Sequence, residues 1–176
     1  MQYYKFQFLG LDRNLPIIYI SPKLGVASFN LLGDSELVRK TSSALARKMK
    51  QYEFDCMVGP EVKVVPLLQQ ISNTLKQKRY VVMRKNIMGY MVNPLCSRSK
   101  PSLVLDGQDV EYLRGKKVIV IDDVVTTGKT IKVIKDFLNE VGANVVATFA
   151  VFKQGEDFVE GVGDMIFLAK LPVIRK

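Results

Sequence analysis

The apolar positions of this chain change period along its length, and each change marks an element. Residues 3–8 and 16–20 alternate as short strands, with Asp12-Arg13-Asn14 as the turn between them. Val26–Leu32 is a further apolar run that carries Ser28, Phe29 and Asn30. Asp34 or Ser35 then caps a helix reaching about Lys50, whose apolar Leu37, Val38, Ala44, Leu45 and Met49 share one face. Phe54–Val58 reads as a short strand, broken by Gly59-Pro60-Glu61-Val62-Lys63. Pro66 suits the first turn of the next helix, along which Val64, Leu68, Ile71 and Leu75 recur at helical spacing.

Arg79–Met83 is another strand, closed by Arg84-Lys85. Residues 86–101 follow no period, and Leu103–Leu105 and Asp109–Leu113 are short elements. Lys116-Lys117 lead into a strand over Val118–Ile121, and Ile131–Val141 has helical spacing up to a stop at Gly142. Asn144–Phe152 is a strand, Gly155, Gly161 and Gly163 mark a loose segment, and Met165–Leu168 is a last short strand. Strands alternating with helices predict an α/β fold, a doubly wound parallel sheet covered on both faces. One domain is expected over residues 1–176, with a core at about 34–152 and a small hood from the chain ends, about 1–33 and 153–176.

One stretch carries chemistry on its face. Val118-Ile119-Val120-Ile121 is a strand buried on both sides; Asp122-Asp123 follow, then Val124-Val125, then Thr126-Thr127-Gly128-Lys129-Thr130 opening the next helix. Free N–H groups and the positive end of the helix dipole make such a turn a phosphate site. A phosphate alone does not favour two neighbouring acids. Sugar hydroxyls do, because they are donors and carboxylates are strong acceptors. Acids beside a phosphate turn therefore describe a ribose 5-phosphate; a turn whose Asp and Thr merely cap the helix is the plainer alternative.

Composition narrows the chemistry. The chain has no histidine, which removes His-based triads, His-ligated metals and imidazole acid–base catalysis. Two cysteines do not make a disulfide framework; Cys56 reads as core and Cys96 as a loop thiol. The N-terminus lacks a signal-peptide core and no apolar run is long enough to span a bilayer, so the cytoplasm is the expected location and no membrane partner is expected. A net charge of +9 suits a polyanionic substrate or nucleic acid. The basic residues are scattered along the sequence, so nucleic acid is not the expected partner.

Val118–Thr130 resembles the phosphoribosyl-pyrophosphate (PRPP) motif of the type I phosphoribosyltransferases, and every position fits. The run from Leu15-Pro16-Ile17-Ile18 to Phe29-Asn30 is similar to the purine branch, adenine enzymes first and xanthine enzymes second. The resemblance implies that Asp122 and Asp123 hold the ribose and that Thr126, Thr127, Gly128, Lys129 and Thr130 hold the 5′-phosphate. It makes Gly59, Pro60, Glu61, Val62 and Lys63 the pyrophosphate turn. Arg84 and Lys85 at the next strand end, and Arg98 and Lys100 on a closing loop, are further pyrophosphate contacts. Asp122, Asp123, Lys63 and Arg84 are then the catalytic set. For Lys63 and Arg84 the plainer alternatives are a solvated lysine and a cationic strand end. Adenine-type members carry a Ser-Tyr and a glutamate in the closing loop. Between Met91 and Leu105 this chain has neither an acid nor a tyrosine, and Asp106 is the nearest carboxylate.

Phe29 or Phe152 as a stacking face, Val125 under the base and Lys153 as a donor to a 6-oxo group are the candidate base contacts, with core packing as the alternative for the two rings. The implied reaction takes PRPP and a purine to the nucleoside monophosphate and pyrophosphate. Mg2+ would be held by PRPP oxygens and water rather than directly by protein. A homodimer is implied by resemblance alone. A 6-oxopurine enzyme, a PRPP-sensing regulator that binds nucleic acid, and an RNA-binding attenuator with residual uracil activity are the rival readings.

Overall fold

The computed structural model describes residues 1–155 and 162–175. The chain opens with a hairpin of β1 (Tyr3–Phe8) and β2 (Leu11–Ser21), and β3 (Leu24–Ala27) pairs antiparallel to β2. The hairpin turns on Leu9-Gly10, both at positive φ, the backbone of the two-residue turn whose twist matches paired strands. Asp12-Arg13-Asn14, expected in the turn, lie inside β2 instead. Their polarity serves an outward contact there: the Arg13 Nε donates to Asp34 at 2.7 Å.

Asp34 caps α1 (Ser35–Met49), its Oδ1 accepting from the Leu37 N–H at 3.0 Å. Then follow β4 (Cys56–Pro60), α2 (Val65–Leu75) with its early proline, β5 (Tyr80–Met83) and a small pair, β6 (Leu95–Cys96) with β7 (Val104–Leu105). The second half holds α3 (Gly107–Leu113), β8 (Lys117–Val125), α4 (Lys129–Glu140), β9 (Asn144–Gln154), β10 (Ile166–Leu171) and β11 (Val173–Arg175). Gly161 of the expected loose segment lies among residues 156–161, outside the described residues.

The central sheet runs β10-β9-β8-β4-β5, parallel throughout. Its two faces are both covered, as the unbroken apolar strands require. Ile119 and Ile121 of β8 point into one core with Leu45 of α1 and Leu68 of α2; Val118 and Val120 point into the other with Leu113 of α3 and Phe137 of α4. β1, β2, β3 and β11 form a separate four-stranded sheet, so the two ends of the chain meet. Buried Gln154 ties this sheet down, its Nε2 donating to the Ala27 and Pro172 carbonyls at 3.1 and 3.2 Å. Among the described residues no helix is long and apolar enough to cross a membrane.

Candidate active site

The sheet itself makes the crevice. β8 pairs with β4 only as far as Val120, but with β9 as far as Val125. The end of β8 therefore runs free of β4 on one side. From β4 the chain steps outward to β5, while β8 leads the other way to β9 and β10. Ligands of doubly wound sheets sit where connections diverge in this manner.

Asp122 and Asp123 lie inside β8 rather than closing it, each 9% exposed. The Asp122 Oδ1 accepts from the Asp123 N–H at 2.8 Å. Burial, with the Asp123 carboxylate beside it, pushes the Asp122 carboxyl well above the usual carboxylate range. The Asp123 Oδ2 is buried and makes no hydrogen bond to protein; the Lys63 Nζ stands 3.9 Å away. Just beyond, Thr126–Thr130 line a small pocket together with Asp122, Val124 and Val125. α4 starts there from Gly128, with no side chain capping its first turn and no acid in it. Gly128 has φ +77°, and a Cβ on it would come within 2.5 Å of the Val162 side chain. These uncapped N–H groups suit an anion.

The turn after β4 faces this one. A Cβ on Gly59 would meet the Ile121 carbonyl oxygen at 2.7 Å, so glycine lets β4 close on β8 beside the acids. The Glu61–Val62 peptide is cis. Glu61 accepts from the Lys85 N–H at 2.8 Å and pairs with the Arg84 guanidinium at 2.5 Å. The Arg84 Nη1 also donates to the Tyr90 hydroxyl at 3.0 Å. Lys63 donates to the Phe29 carbonyl at 3.2 Å, joining the hood to the crevice. The structure thus brings Gly59–Lys63, Arg84 and Lys85 together opposite the acids.

The other predicted residues are placed differently. Arg98 is exposed and sits 3.6 Å from Glu140, the last residue of α4, at the opposite end of that helix from the phosphate-type turn. Lys100 is exposed on the same loop. Asp106 caps α3, accepting from the Gln108 N–H, so its carboxylate has a structural partner. Phe152 is fully buried and Phe29 is 3% exposed; their rings meet edge to face at 4.6 Å, with Phe6 and Phe8 packed on Phe152. The two rings are core, the alternative weighed from the sequence. Val125 and Lys153 are cross-strand partners at the end of the β8–β9 ladder, both nearly buried. Tyr90 was not singled out from the sequence; nothing local signals that a loop tyrosine will meet Arg84.

Fold and crevice define an α/β protein of the doubly wound class with its candidate site at the carboxyl ends of β4 and β8. A family model described as phosphoribosyl transferase domain matches residues 32–170, and the chain belongs to that family. The recognition, type I from the PRPP-type run and purine branch from the run Leu15 to Asn30, is borne out.

The chain is 29% identical over 120 residues to the adenine phosphoribosyltransferase of Petrotoga mobilis, covering 66% of this chain and 68% of that one. It is 30% identical over 152 residues to a hypoxanthine/guanine phosphoribosyltransferase of Methanothermococcus okinawensis, covering 82% and 80%. It is 31% identical over 135 residues to the transcriptional regulator GfcR of Methanococcus maripaludis, and there spans only 62% of the relative's length. Among solved structures, the adenine phosphoribosyltransferase of Thermoanaerobacter pseudethanolicus superposes with a TM-score of 0.69 at 21% identity, over 89% of this chain and 95% of that one. At that identity the likeness concerns the fold.

Proposed function

We propose that the protein transfers ribose 5-phosphate from PRPP to a ring nitrogen of a purine, adenine first, giving the nucleoside monophosphate and pyrophosphate in purine salvage. The observation that carries this reading is the pair Asp122 and Asp123, buried side by side next to an uncapped helix start. In this assignment the carboxylates accept from the ribose hydroxyls, and the Thr126–Thr130 N–H and hydroxyl groups donate to the 5′-phosphate. Breaking the C1–O bond sends its electron pair to pyrophosphate and leaves cationic character on the sugar; the purine nitrogen then bonds to C1, and the ring N–H proton is given up to the released pyrophosphate or to water. The acids lend negative potential near that cation, while Lys63, Arg84 and Lys85 face the leaving group. No protein nucleophile is needed; orientation and electrostatics supply the rate.

Mg2+ fits this site in one manner only. Among the described residues no cluster of three or more potential ligands could hold a metal. Asp122 and Asp123, with one unpartnered buried oxygen, would stand behind an ion whose own ligands are substrate oxygens and water, accepting hydrogen bonds from that water. When bound, it neutralises the developing charge on pyrophosphate. A cytoplasmic homodimer belongs to the same reading.

A second reading, a 6-oxopurine substrate, has its own support in the broader match to a hypoxanthine/guanine enzyme and in Lys153, nearly buried beside Val125. Pyrophosphate release measured with adenine, hypoxanthine, guanine and xanthine separates the two. Turnover with adenine alone is expected. Turnover with only the oxo bases would replace the first reading by the second, and none with any base would remove both.

A further inference from the structure

α1 carries a run of cations along one exposed face. Arg39, Ser43 and Arg47 recur every fourth residue, all exposed, and form one stripe along the helix. Lys40 lies beside the stripe, its Nζ donating to the Leu9 carbonyl at 3.2 Å. A groove of about 370 Å³ is lined by Leu9, Arg39, Lys40, Ser43 and Arg47, with no acid in its wall. Exposed Lys50, three residues past Arg47, continues the stripe beyond the groove, while exposed Lys48 lies about 100° round the helix from Arg47. No acid occurs between Glu36 and Glu53, and both of those are engaged elsewhere, with Arg13 and Lys117. Among the described residues Arg39, Arg47, Lys48 and Lys50 have no ion-pair partner.

We infer that this face binds the phosphate backbone of a nucleic acid. From Arg39 to Arg47 the helix rises about 12 Å, the rise of three to four nucleotides of one strand. A single nucleotide would not use cations that continue beyond the groove. An anionic membrane is the poorer occupant, because the exposed residues of α1 are Ser, Glu, Arg and Lys, with none to insert among lipid chains. No aromatic or side-chain amide is exposed on α1, so the contact reads charge and not sequence. The groove shares no residue with the Thr126–Thr130 pocket, so both can be filled at once. The inference rests on α1 alone and is independent of whether the protein turns over a base.

The test is fluorescence anisotropy with random-sequence RNA, single-stranded DNA and duplex DNA of about 20 units, from about 50 to about 200 mM salt. The intact protein is expected to bind at low salt, with log affinity falling linearly in log salt. Arg39→Gln with Arg47→Gln is expected to weaken binding about tenfold at the lowest salt and to make the slope shallower by about 1.4 to 1.8. Lys76→Gln with Lys78→Gln, an equal charge change at exposed positions after α2, is expected to leave binding in place. An unchanged melting temperature shows that each variant is folded. No binding at low salt, equal loss in both double variants, or binding only to phosphatidylserine vesicles would overturn the proposal.

Discussion

Two turns face each other across the crevice, and they are built on opposite principles. After β8, polar groups are left without partners: the Asp123 Oδ2 has no hydrogen bond and the first turn of α4 has no cap. After β4 and β5, the charged groups satisfy one another. Glu61 takes Arg84 and the Lys85 N–H, Arg84 reaches Tyr90, and Lys63 holds the Phe29 carbonyl. The first half costs stability as it stands, since the buried Asp123 Oδ2 has no hydrogen bond and its ion-pair partner, the Lys63 Nζ, stands 3.9 Å away. The second half is stable as it stands, and an anion there must exchange with existing partners. Under the proposed assignment, the first half is a preformed sugar-phosphate site and the second a pyrophosphate site whose cations already have competing partners.

The largest expected effect breaks the first half. Asp122→Asn with Asp123→Asn should lower turnover with PRPP by about 10³-fold or more, on the scale of losing preorganised electrostatic groups. The same change should stabilise the empty protein at neutral pH. The fold raises the Asp122 pKa, so the folded state holds more protons than the unfolded one above the ordinary carboxylate value of about 3.9. The contribution of Asp122 to stability therefore falls as pH rises through that window, so the variant should gain on the parent between about pH 4 and about pH 7. Melting curves at pH 4 and pH 7 check this (about one carboxylate window apart). A variant less stable than the parent at neutral pH would refute the claim that the acids are strained by burial.

Next in size is Phe152→Ala. As a fully buried ring under Phe6, Phe8 and Phe29, it should cost about 3–5 kcal/mol of unfolding free energy in denaturant titration. A loss confined to base KM, with stability intact, would return Phe152 to the base site. Lys63→Met should cut kcat/KM by between about 10- and 100-fold, because it removes the cation that pairs with Asp123. It should also loosen the hood, which hydrogen exchange at β3 would register.

The contrast between the two turns also explains what the sequence made legible. The β8 turn was readable because its signal is local: an apolar run, two acids and a hydroxyl-glycine turn are contiguous, and their chemistry follows from being neighbours. A cap at Asp34 or Ser35 and a parallel sheet were readable too, the first from a local pattern and the second from the alternation of strands and helices; the strand order was not. The β4–β5 side was readable only as a set of charges. Glu61 is 24 residues from Lys85 in sequence and Lys63 is 34 from Phe29, and no local pattern announces those partners. Arg98 shows how little of a loop's placement is local. Its loop carries the expected cations, but the hairpin of β6 and β7 sets it beside Glu140. The Leu9-Gly10 turn was missed because Asp12-Arg13-Asn14 offered the stronger compositional signal, while their polarity answered to Asp34. β11 spans three residues, too short for any period to show.

The smallest effect tests the second half most directly. Glu61→Gln keeps an acceptor for the Lys85 N–H and removes the charge that competes for Arg84. The pair is partly exposed, with side chains 33% and 21% accessible for Arg84 and Glu61, so the expected change is that of an ion pair near the surface. If the Glu61 carboxylate holds Arg84 in reserve, the KM for PRPP should fall by a factor of about 1.5 to 5 with kcat nearly unchanged. If Glu61 instead aims the guanidinium at pyrophosphate, KM should rise by a similar factor. Arg84→Met measured alongside fixes the sign: in the first case the two changes move KM in opposite directions, and in the second they move it together.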